Sequence, residues 1–431
     1  MANPHPKKIV VVGGSLGGLF TGIAFQRLGH DVTILERTPS HILAGQGAGI
    51  SLSSLVPPIF ESFKAFSKSG SPIIEFFDKY DRTETQYYIN VSGQVQYLKK
   101  DGSVKTTVIT KGRNASASWD SLYTTLRANF DGGYEKEFAK VTKKEEGDGK
   151  AEYLTQSQVL GIEDLGSDTV NVFYEDACGK KSSLEANLVI GADGPASSVR
   201  ELLLPEVERT YSGYVAWRGT VREDRLSKET EDILQDTPTL FYYKGGHVVI
   251  YKIPGINGST KYEERLCNIV WYNNYTPSKL QEILTSTSGK VHTFSLGIGK
   301  VRPEISSRQR SIASSLLPPP ISEVFQKVEQ PFIQAVTDNF ASKAVFMNGK
   351  VLLVGDALAG LRPHTTAGTA QAAMHALMLN KVFGSGEMNL GEWEREVLKW
   401  SAWIQKLGVQ LGETAQFGVH PQMDNTAPSK L

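Results

Sequence analysis

The chain has 431 residues, enough for two or three domains with sizeable hydrophobic cores. Its 46 Lys and Arg residues balance 46 Asp and Glu residues, which gives no reason to expect a nucleic-acid or anionic-membrane partner. The two cysteines lack metal-ligand spacing, so no metal site is expected, and no apolar run approaches the roughly 20 residues of a spanning helix.

The first predicted unit, residues 7–37, is a strand, a glycine-rich turn, a helix and a second strand. Gly13 allows the tight turn, Gly18 allows close helix–strand packing, and Glu36 ends the second strand. The strict glycine pattern has Gly where Ser15 stands, but the serine N–H and hydroxyl can still face a phosphate. The unit therefore predicts dinucleotide binding rather than a purely structural turn.

The following segments give weaker signals. Residues 41–57 predict a glycine-rich loop beside the dinucleotide, and QYYINVSGQVQYL predicts a strand pair. Ser118 predicts the N-cap of a helix that starts with WDSLYTTLRANF. QVLGIEDL, TVNVFYEDACG and SSLEANLVI predict a meander of strands.

Two later segments share the same predicted order of elements, a strand, an acidic turn and a helix. In residues 188–203 an apolar strand runs into the turn Gly191-Ala192-Asp193-Gly194, and a helix that carries Arg200 follows near Ser197. In residues 351–376 a strand runs into a loop with Asp356, and a second helix follows after the glycine at position 368. Such a helix N-terminus favours negative charge, although either segment alone could be an ordinary crossover in a sheet.

Between these two segments the sequence is richer in β-structure. GYVAWRGTVRED, TLFYYKGGHVVIYKIPG and RLCNIVWYNNY predict aromatic antiparallel strands without intervening helices. One face of this sheet could bind a flat molecule, whereas Trp217, Tyr242 and Trp271 are expected in its core. Residues 276–345 are predicted to be helical and loop-rich, with a breaker at residues 317–320, and residues 393–413 predict an amphipathic helix that packs on the protein.

The three motifs in this order resemble the FAD-dependent aromatic hydroxylases, the flavoprotein monooxygenases of the para-hydroxybenzoate hydroxylase type. The motifs are VVGGSLGGL with Glu36, GADGPASSVR and GDALAGLRPHTTAG. Within that group, ASWDSLYTTLRA, GYVAWRG, VWYNN and PHTTAGTAQAAMHA are similar to the 2,6-dihydroxypyridine 3-monooxygenase branch.

The resemblance implies an α/β fold with a discontinuous Rossmann-like FAD-binding domain, a second, β-sheet substrate domain and a C-terminal helix. The expected ranges are 1–75, 101–205 and 340–385 for the FAD-binding domain, 76–100 and 206–339 for the substrate domain, 386–420 for the helix and 421–431 for a flexible tail. The cofactors are FAD and, as co-substrate, NADH or NADPH.

The resemblance also implies which part of the cofactor each residue contacts. The ADP half is held by Gly13, Ser15, Leu16, Gly18 and Glu36, with Arg37 on the adenine side, and Asp193 belongs to the motif shared by FAD and NAD(P)H. The flavin half is contacted by Trp119, by Asp356 at the ribityl chain, by Pro363 against the ring, and by Gly368 and Thr369 at the N1–C2=O edge. Two positions depart from many relatives, which have Arg at Trp119 and Asp at His375.

The implied reaction is NAD(P)H- and O2-dependent hydroxylation of an electron-rich ring through a flavin C4a-hydroperoxide. A base near the ring would assist, and His364 and His247 are the candidates, because an unperturbed histidine titrates near neutral pH. His364 can instead only orient Pro363, and His247 can serve a turn. Arg218 and Tyr251 are candidate substrate contacts, although Arg218 can equally be an exposed strand charge.

Other functions stay open on the sequence alone: epoxidation or oxidative rearrangement of a larger natural product, a flavin reductase or dehydrogenase without oxygen insertion, or nucleotide binding without catalysis. Ser429-Lys430-Leu431 is a peroxisomal address, so the peroxisome is expected, with the cytoplasm as the alternative. The expected partners are a small aromatic substrate, O2, the peroxisomal import receptor and, for a homodimer, a second copy; no nucleic acid or membrane span is expected.

Overall fold

The structure is a computed structural model that describes residues 6–39, 48–52, 70–110, 115–132, 139, 141, 145–166 and 168–424. Its helices are Leu16–Gln26 (α1), Pro72–Tyr80 (α2), Trp119–Asp131 (α3), Ser198–Leu203 (α4), Lys228–Leu234 (α5), Pro277–Ile283 (α6), Pro303–Leu316 (α7), Pro319–Lys327 (α8), Gly368–Asn380 (α9) and Leu390–Gln416 (α10). Its strands are Lys8–Val12 (β1), Asp31–Leu35 (β2), Gly49–Ser51 (β3), Tyr88–Asn90 (β4), Gln94–Leu98 (β5), Val104–Ile109 (β6), Ala115–Ser118 (β7), Ala151–Leu154 (β8), Gln158–Asp164 (β9), Val170–Glu175 (β10), Lys181–Ala186 (β11), Leu188–Gly191 (β12), Thr210–Arg222 (β13), Thr239–Tyr243 (β14), Gly246–Ile253 (β15), Leu266–Asn274 (β16), Ser295–Leu296 (β17), Phe332–Phe340 (β18), Val345–Phe346 (β19), Val351–Leu353 (β20) and Ala359–Gly360 (β21).

A parallel sheet forms the first layer, in the order β19-β20-β12-β1-β2-β8, with only β19 antiparallel among its described strands. Its central strands are almost wholly apolar because helices cover the sheet. The helices α1, α3 and α9 pack together there. The carboxyl ends of β1, β12 and β20 lie side by side, so the three sequence motifs meet at one edge of the sheet, as open α/β sheets arrange their ligand sites.

The second layer is a sheet in the order β17-β18-β13-β16-β15-β14-β5-β6, with β21 also paired to β18. Its long strands β13, β15 and β16 are antiparallel, as predicted, and β18 also joins β13 in antiparallel fashion. One face forms a core in which Trp217 and Trp271 are fully buried under α8, which confirms their predicted place. The opposite face contacts β3, β7 and α10, and lies toward the parallel sheet.

Several predictions about elements were wrong. The segments Tyr88–Asn90 and Gln94–Leu98 do not pair with each other, because the first joins β7 and the second joins β6 and β14. A helix, Lys228–Leu234, lies between β13 and β14. SSLEANLVI contains two strands that belong to different sheets, and residues 276–345 include the nine-residue strand Phe332–Phe340.

The expected domain boundaries need adjustment at two places. Strand Val104–Ile109 pairs with β5 and therefore belongs to the second sheet, although residues 101–205 were expected in the FAD-binding domain. Phe76, Phe77 and Tyr80 of α2 pack in the core of the first layer, although residue 76 was expected to begin the substrate domain. The expected boundary at residue 76 divides helix α2, and the one at residue 101 divides the β5–β6 hairpin. The sequence shows no linker at either place.

The described residues at the C-terminal end pack on the rest of the protein. Helix α10 packs on the protein through fully buried Trp393 and Trp400, which confirms that prediction. Met423 and Asp424, expected in a flexible tail, are buried against the second sheet. The Ser429-Lys430-Leu431 signal and most of the predicted loop at 41–57 lie outside the described residues. No helix in the described ranges is long and apolar enough to span a membrane.

Candidate active site

The dinucleotide turn connects β1 to α1. Gly13 has φ +99°, and a Cβ there would lie 2.6 Å from the carbonyl oxygen of Ala192. A Cβ on Gly18 would lie 1.9 Å from the carbonyl oxygen of Gly13. Both positions therefore require glycine. Ser15 is the N-cap of α1, and its side chain makes no capping hydrogen bond, so the first-turn amide groups beginning at Leu16 are left for a ligand.

The acidic residue after β2 lies against this turn. The carboxylate of Glu36 is buried and accepts hydrogen bonds from the N–H groups of Gly14 and Thr38, both at 2.7 Å. The neighbouring Arg37 is exposed and lines a cleft of about 270 Å³ together with Gln156 and Glu175. Glu36 thus lies against the dinucleotide turn, and its contact with a ribose stays a prediction.

The residues of the second motif form hydrogen bonds mainly with one another. Asp193 accepts hydrogen bonds from the hydroxyls of Ser197 and Ser198 and from the N–H groups at the start of α4, so it caps that helix. Arg200 donates to the carbonyl oxygens of Pro195 and Ala357, at 2.7 and 2.8 Å. Arg200 therefore joins this turn to the loop of the third motif, whereas the carboxylate of Asp193 is already occupied.

The third motif places a carboxylate beside a helix start. Asp356 lies in a turn after β20, and a Cβ on Gly368 would lie 3.8 Å from its Oδ1. Burial raises the pKa of Asp356 to about 6, against the opposing effect of Arg209 and Arg200. Helix α9 starts at Gly368 and Thr369 without a side-chain cap, so its first N–H groups are left for a ligand.

The aromatic side chain at the start of α3 stacks within its own helix. The rings of Trp119 and Tyr123 are nearly parallel, with centroids 4.6 Å apart. The hydroxyl of Tyr123 contacts that of Tyr153, which donates to the carbonyl oxygen of Gly14. Trp119 is therefore tied to the dinucleotide turn through two tyrosines, a connection that the sequence did not indicate.

The site-facing side of the second sheet carries the candidate substrate contacts. Side chains two residues apart share a face of a strand, and pairing places Tyr272 between His247 and Ala216 in one row across three strands. His247 lies in a strand and not in a turn, and its Nδ1 lies 2.7 Å from Nε2 of Gln416. The turn role that was considered for His247 is wrong.

Arg218 lies on the same face, two residues from Ala216. Its Nη1 donates to Oε1 of Gln334 at 3.1 Å, and its Nε has no hydrogen-bond partner in the described ranges. Its charge opposes the rise in pKa that burial causes in Tyr251 and Tyr272. Arg218 is half-buried, so it is not the exposed strand charge that was the alternative.

His364 joins the proline loop to this sheet. Its Nε2 lies 2.8 Å from the hydroxyl of Tyr214, and its ring centroid lies 5.3 Å from that of His247 and 5.0 Å from that of Tyr272. Burial, assisted by the charge of Arg362, lowers the pKa of His364 to about 3. His364 is therefore a neutral hydrogen-bonding group at neutral pH and a weak base.

Sequence reasoning missed the residues that hold His364. Tyr214 could have been found, because it lies four residues before Arg218 on one strand and so shares its face. Arg362 pairs with Asp338 and Glu413, and Gly412 lets α10 approach the loop. These partners come from distant elements and leave no local pattern.

Taken together, these residues fit FAD. Two helix N-termini without side-chain caps, those of α1 and α9, lie at the same edge of the parallel sheet, and glycine is required where the backbone turns from β1 into α1. Asp356 lies beside the second N-terminus. Such an arrangement suits a ligand that has an anionic dinucleotide part at one end and a flat, electron-rich ring at the other.

Comparisons with known proteins agree. A family model described as FAD binding domain-like matches residues 211–338. The chain is 29% identical to 2,6-dihydroxypyridine 3-monooxygenase of Paenarthrobacter nicotinovorans over 94% of this chain and 91% of that protein. It is 23% identical to 6-hydroxynicotinate 3-monooxygenase of Bordetella bronchiseptica over 87% and 82%. The solved structure of 2,6-dihydroxypyridine-3-hydroxylase from Arthrobacter nicotinovorans superposes with a TM-score of 0.78 at 27% identity, covering 99% of this chain and 98% of that one.

The fold and the site thus define an FAD-dependent monooxygenase, an oxidoreductase with NAD(P)H as its electron donor. More particularly, the chain is similar to the FAD-dependent aromatic hydroxylases, and its reaction is the hydroxylation of an aromatic ring.

Proposed function

We propose that the substrate is a small ring of the phenol or hydroxypyridine type that carries an acidic oxygen and binds against the site-facing side of the second sheet. One observation supports this most directly: the apolar Ala216 separates two polar ends of that face along β13, and Val270 and Val249 extend the apolar surface on the neighbouring strands. Tyr214 and His364 form one end, and Arg218 forms the other.

The polar ends suit an electron-rich ring. When bound, FAD takes a hydride from NAD(P)H and, with O2, supplies the oxygen atom that enters the ring. Arg218 stabilises an ionised ring oxygen, which makes the ring a better nucleophile. His364 is neutral, so it orients a ring hydroxyl by hydrogen bonding and does not hold its proton; its partner Tyr214 fixes the imidazole for that task.

The test uses the purified, FAD-loaded protein and a panel of rings named after the relatives: 2,6-dihydroxypyridine, 6-hydroxynicotinate, salicylate and 3-hydroxybenzoate. NAD(P)H oxidation and O2 uptake are followed, and the product mass is measured under ¹⁸O2. Incorporation of one ¹⁸O into a ring supports the proposal. Turnover that is unchanged without O2 would instead favour a reductase or dehydrogenase.

Arg218→Gln tests the anionic contact. We expect KM for the preferred ring to rise roughly tenfold, since a hydrogen bond to a charged group contributes about 1.5–3 kcal/mol. Arg222→Gln is the matched control, because Arg222 ends the same strand, is exposed and pairs with Asp224. Equal KM values for wild type and Arg218→Gln would rule out this contact.

We also propose that Ser429-Lys430-Leu431 directs the protein to the peroxisome through the import receptor, a proposal that is supported by these three residues alone. A fluorescent protein ending in residues 420–431 should collect in peroxisomes, and the same fusion without the last three residues should stay in the cytoplasm. Cytoplasmic fluorescence from both fusions would contradict the proposal.

A further inference from the structure

His375 is a fully buried residue of α9 to which neither the motifs nor the proposed reaction gives a role. Its Nδ1 accepts a hydrogen bond of 3.1 Å from the N–H of Gly355. This bond assigns the ring proton to Nε2. Burial lowers the pKa of His375 to about 3, so the imidazole is neutral at neutral pH.

The position of the other ring nitrogen is energetically unfavourable. Nε2 of His375 is buried and has no hydrogen-bond partner in the part of the chain that the structure describes. The ring packs edge-on against Trp393, with centroids 6.2 Å apart. A buried donor without a partner destabilises a protein, so an apolar residue would serve packing alone better.

The bond to Gly355 acts on the turn that carries Asp356. Gly355 has φ +57°, and the turn is held at three successive residues. His375 holds the N–H of Gly355, Nδ2 of Asn339 donates to the carbonyl oxygen of Asp356 at 3.2 Å, and Arg200 donates to that of Ala357 at 2.8 Å. His375 is the one of these three partners that comes from α9 itself, the helix whose N-terminus Asp356 faces.

We propose that His375 is a positioning residue for FAD: it fixes the Gly355–Asp356 turn with a neutral acceptor and so adds no second negative charge beside the Asp356 carboxylate. A carboxylate at position 375 could accept the same hydrogen bond. It would also repel the reduced cofactor, which carries more negative charge than the oxidised form. The choice of a neutral group therefore favours binding of reduced FAD relative to oxidised FAD.

Three variants separate these effects. His375→Asn keeps a neutral acceptor, His375→Asp has the same shape with a charge, and His375→Leu has no acceptor. The dissociation constant of oxidised FAD is measured by titrating apoprotein and following flavin fluorescence. The midpoint potential of the bound FAD and the thermal unfolding of the apoprotein are measured in parallel.

We expect the Asn variant to resemble the wild type and the Leu variant to bind oxidised FAD roughly tenfold more weakly. The Asp variant should lose roughly tenfold in affinity for reduced relative to oxidised FAD. For a two-electron couple this corresponds to a midpoint potential about 30 mV more negative than that of the Asn variant. The proposal depends on FAD binding and not on the ring substrate, so failure of the substrate panel would leave it standing.

A second buried histidine provides the control. Nδ1 of His30 accepts from the N–H of Lys7 at 3.1 Å, and its Nε2 also has no partner among the described residues, but it lies away from the Asp356 turn. His30→Leu should leave FAD affinity and potential unchanged. The proposal is overturned if His375→Leu behaves like His30→Leu, or if the Asn and Asp variants have equal potentials. If His375→Leu does not fold, the Asn and Asp pair still decides, since both can accept the bond.

Discussion

At the scale of single residues, Asp356 makes the apoprotein sensitive to pH. Its folded-state pKa is raised from the ordinary 3.8 to about 6, so the folded chain keeps a proton that the unfolded chain has lost. The stability associated with this group is complete below pH 3.8 and is lost as the pH rises to about 6. Relative to the wild type, apoprotein with Asp356→Asn should therefore gain stability from pH 4 to pH 6.5.

Urea unfolding of both apoproteins at several pH values measures this difference. Asp338→Asn serves as a comparison, because Asp338 is paired with Arg362 and its loss should destabilise the protein at neutral pH. A difference between wild type and Asp356→Asn that does not change with pH would show that the carboxylate is ionised throughout.

The residue scale also shows what the sequence could predict. Gly13 and Gly18 follow from a local pattern, because the collisions that exclude a side chain arise within one strand–turn–helix unit or where that unit meets its neighbour. The bond from Gly355 to His375 was not predictable. It depends on where α9 lies relative to β20, which only the packed structure defines.

At the scale of elements, the glycines of α10 control its distance from the active site. A Cβ on Gly412 would lie 2.5 Å from the hydroxyl of Tyr214 and 3.0 Å from Cδ2 of His364. Helix propensity alone would favour Gly412→Ala by about 1 kcal/mol. We expect the collision to prevail, so that the variant loses stability and its kcat falls because the Tyr214–His364 pair shifts.

Gly391→Ala in the first turn of the same helix is the matched change. There the nearest atom to a Cβ is Oδ1 of Asn389 at 3.4 Å, and we expect no loss of stability or rate. Thermal unfolding and steady-state kinetics of the two variants decide the matter. Equal behaviour would mean that α10 shifts outward at little cost.

Elements with their own pattern were the predictable ones. Helix α3 has Ser118 as its N-cap, and the side chains of Ser118 and Ser121 cap each other's backbone N–H, as a local signal can specify. Strands β4 and β5 lie only three residues apart, yet each pairs with a different sheet. Strands that are neighbours in sequence usually pair with each other, but here each strand pairs with strands from distant parts of the chain.

At the scale of the whole molecule, the chain after α10 closes the site-facing side of the second sheet. His420 stacks on Tyr242, with centroids 3.7 Å apart and planes within 3°, and Tyr242 stacks in turn on His247. Asp424 accepts from the N–H of Lys100 at 2.6 Å, and its own N–H donates to the carbonyl oxygen of Tyr242. Residues 417–424 thus contact β14 and the turn after β5, and they support His247 through Tyr242.

This arrangement predicts different effects for two truncations. A chain ending at Asp424 keeps these contacts and should match the full-length protein in Tm and in KM for the ring. A chain ending at Gly418 loses the stack and the bonds to Asp424, so we expect a lower Tm and a higher KM while the affinity for FAD is unchanged. The two chains differ by six residues that lie far from α1 and α9. Weaker FAD binding in the shorter chain would therefore contradict a purely local support and would mean that the two layers unfold together.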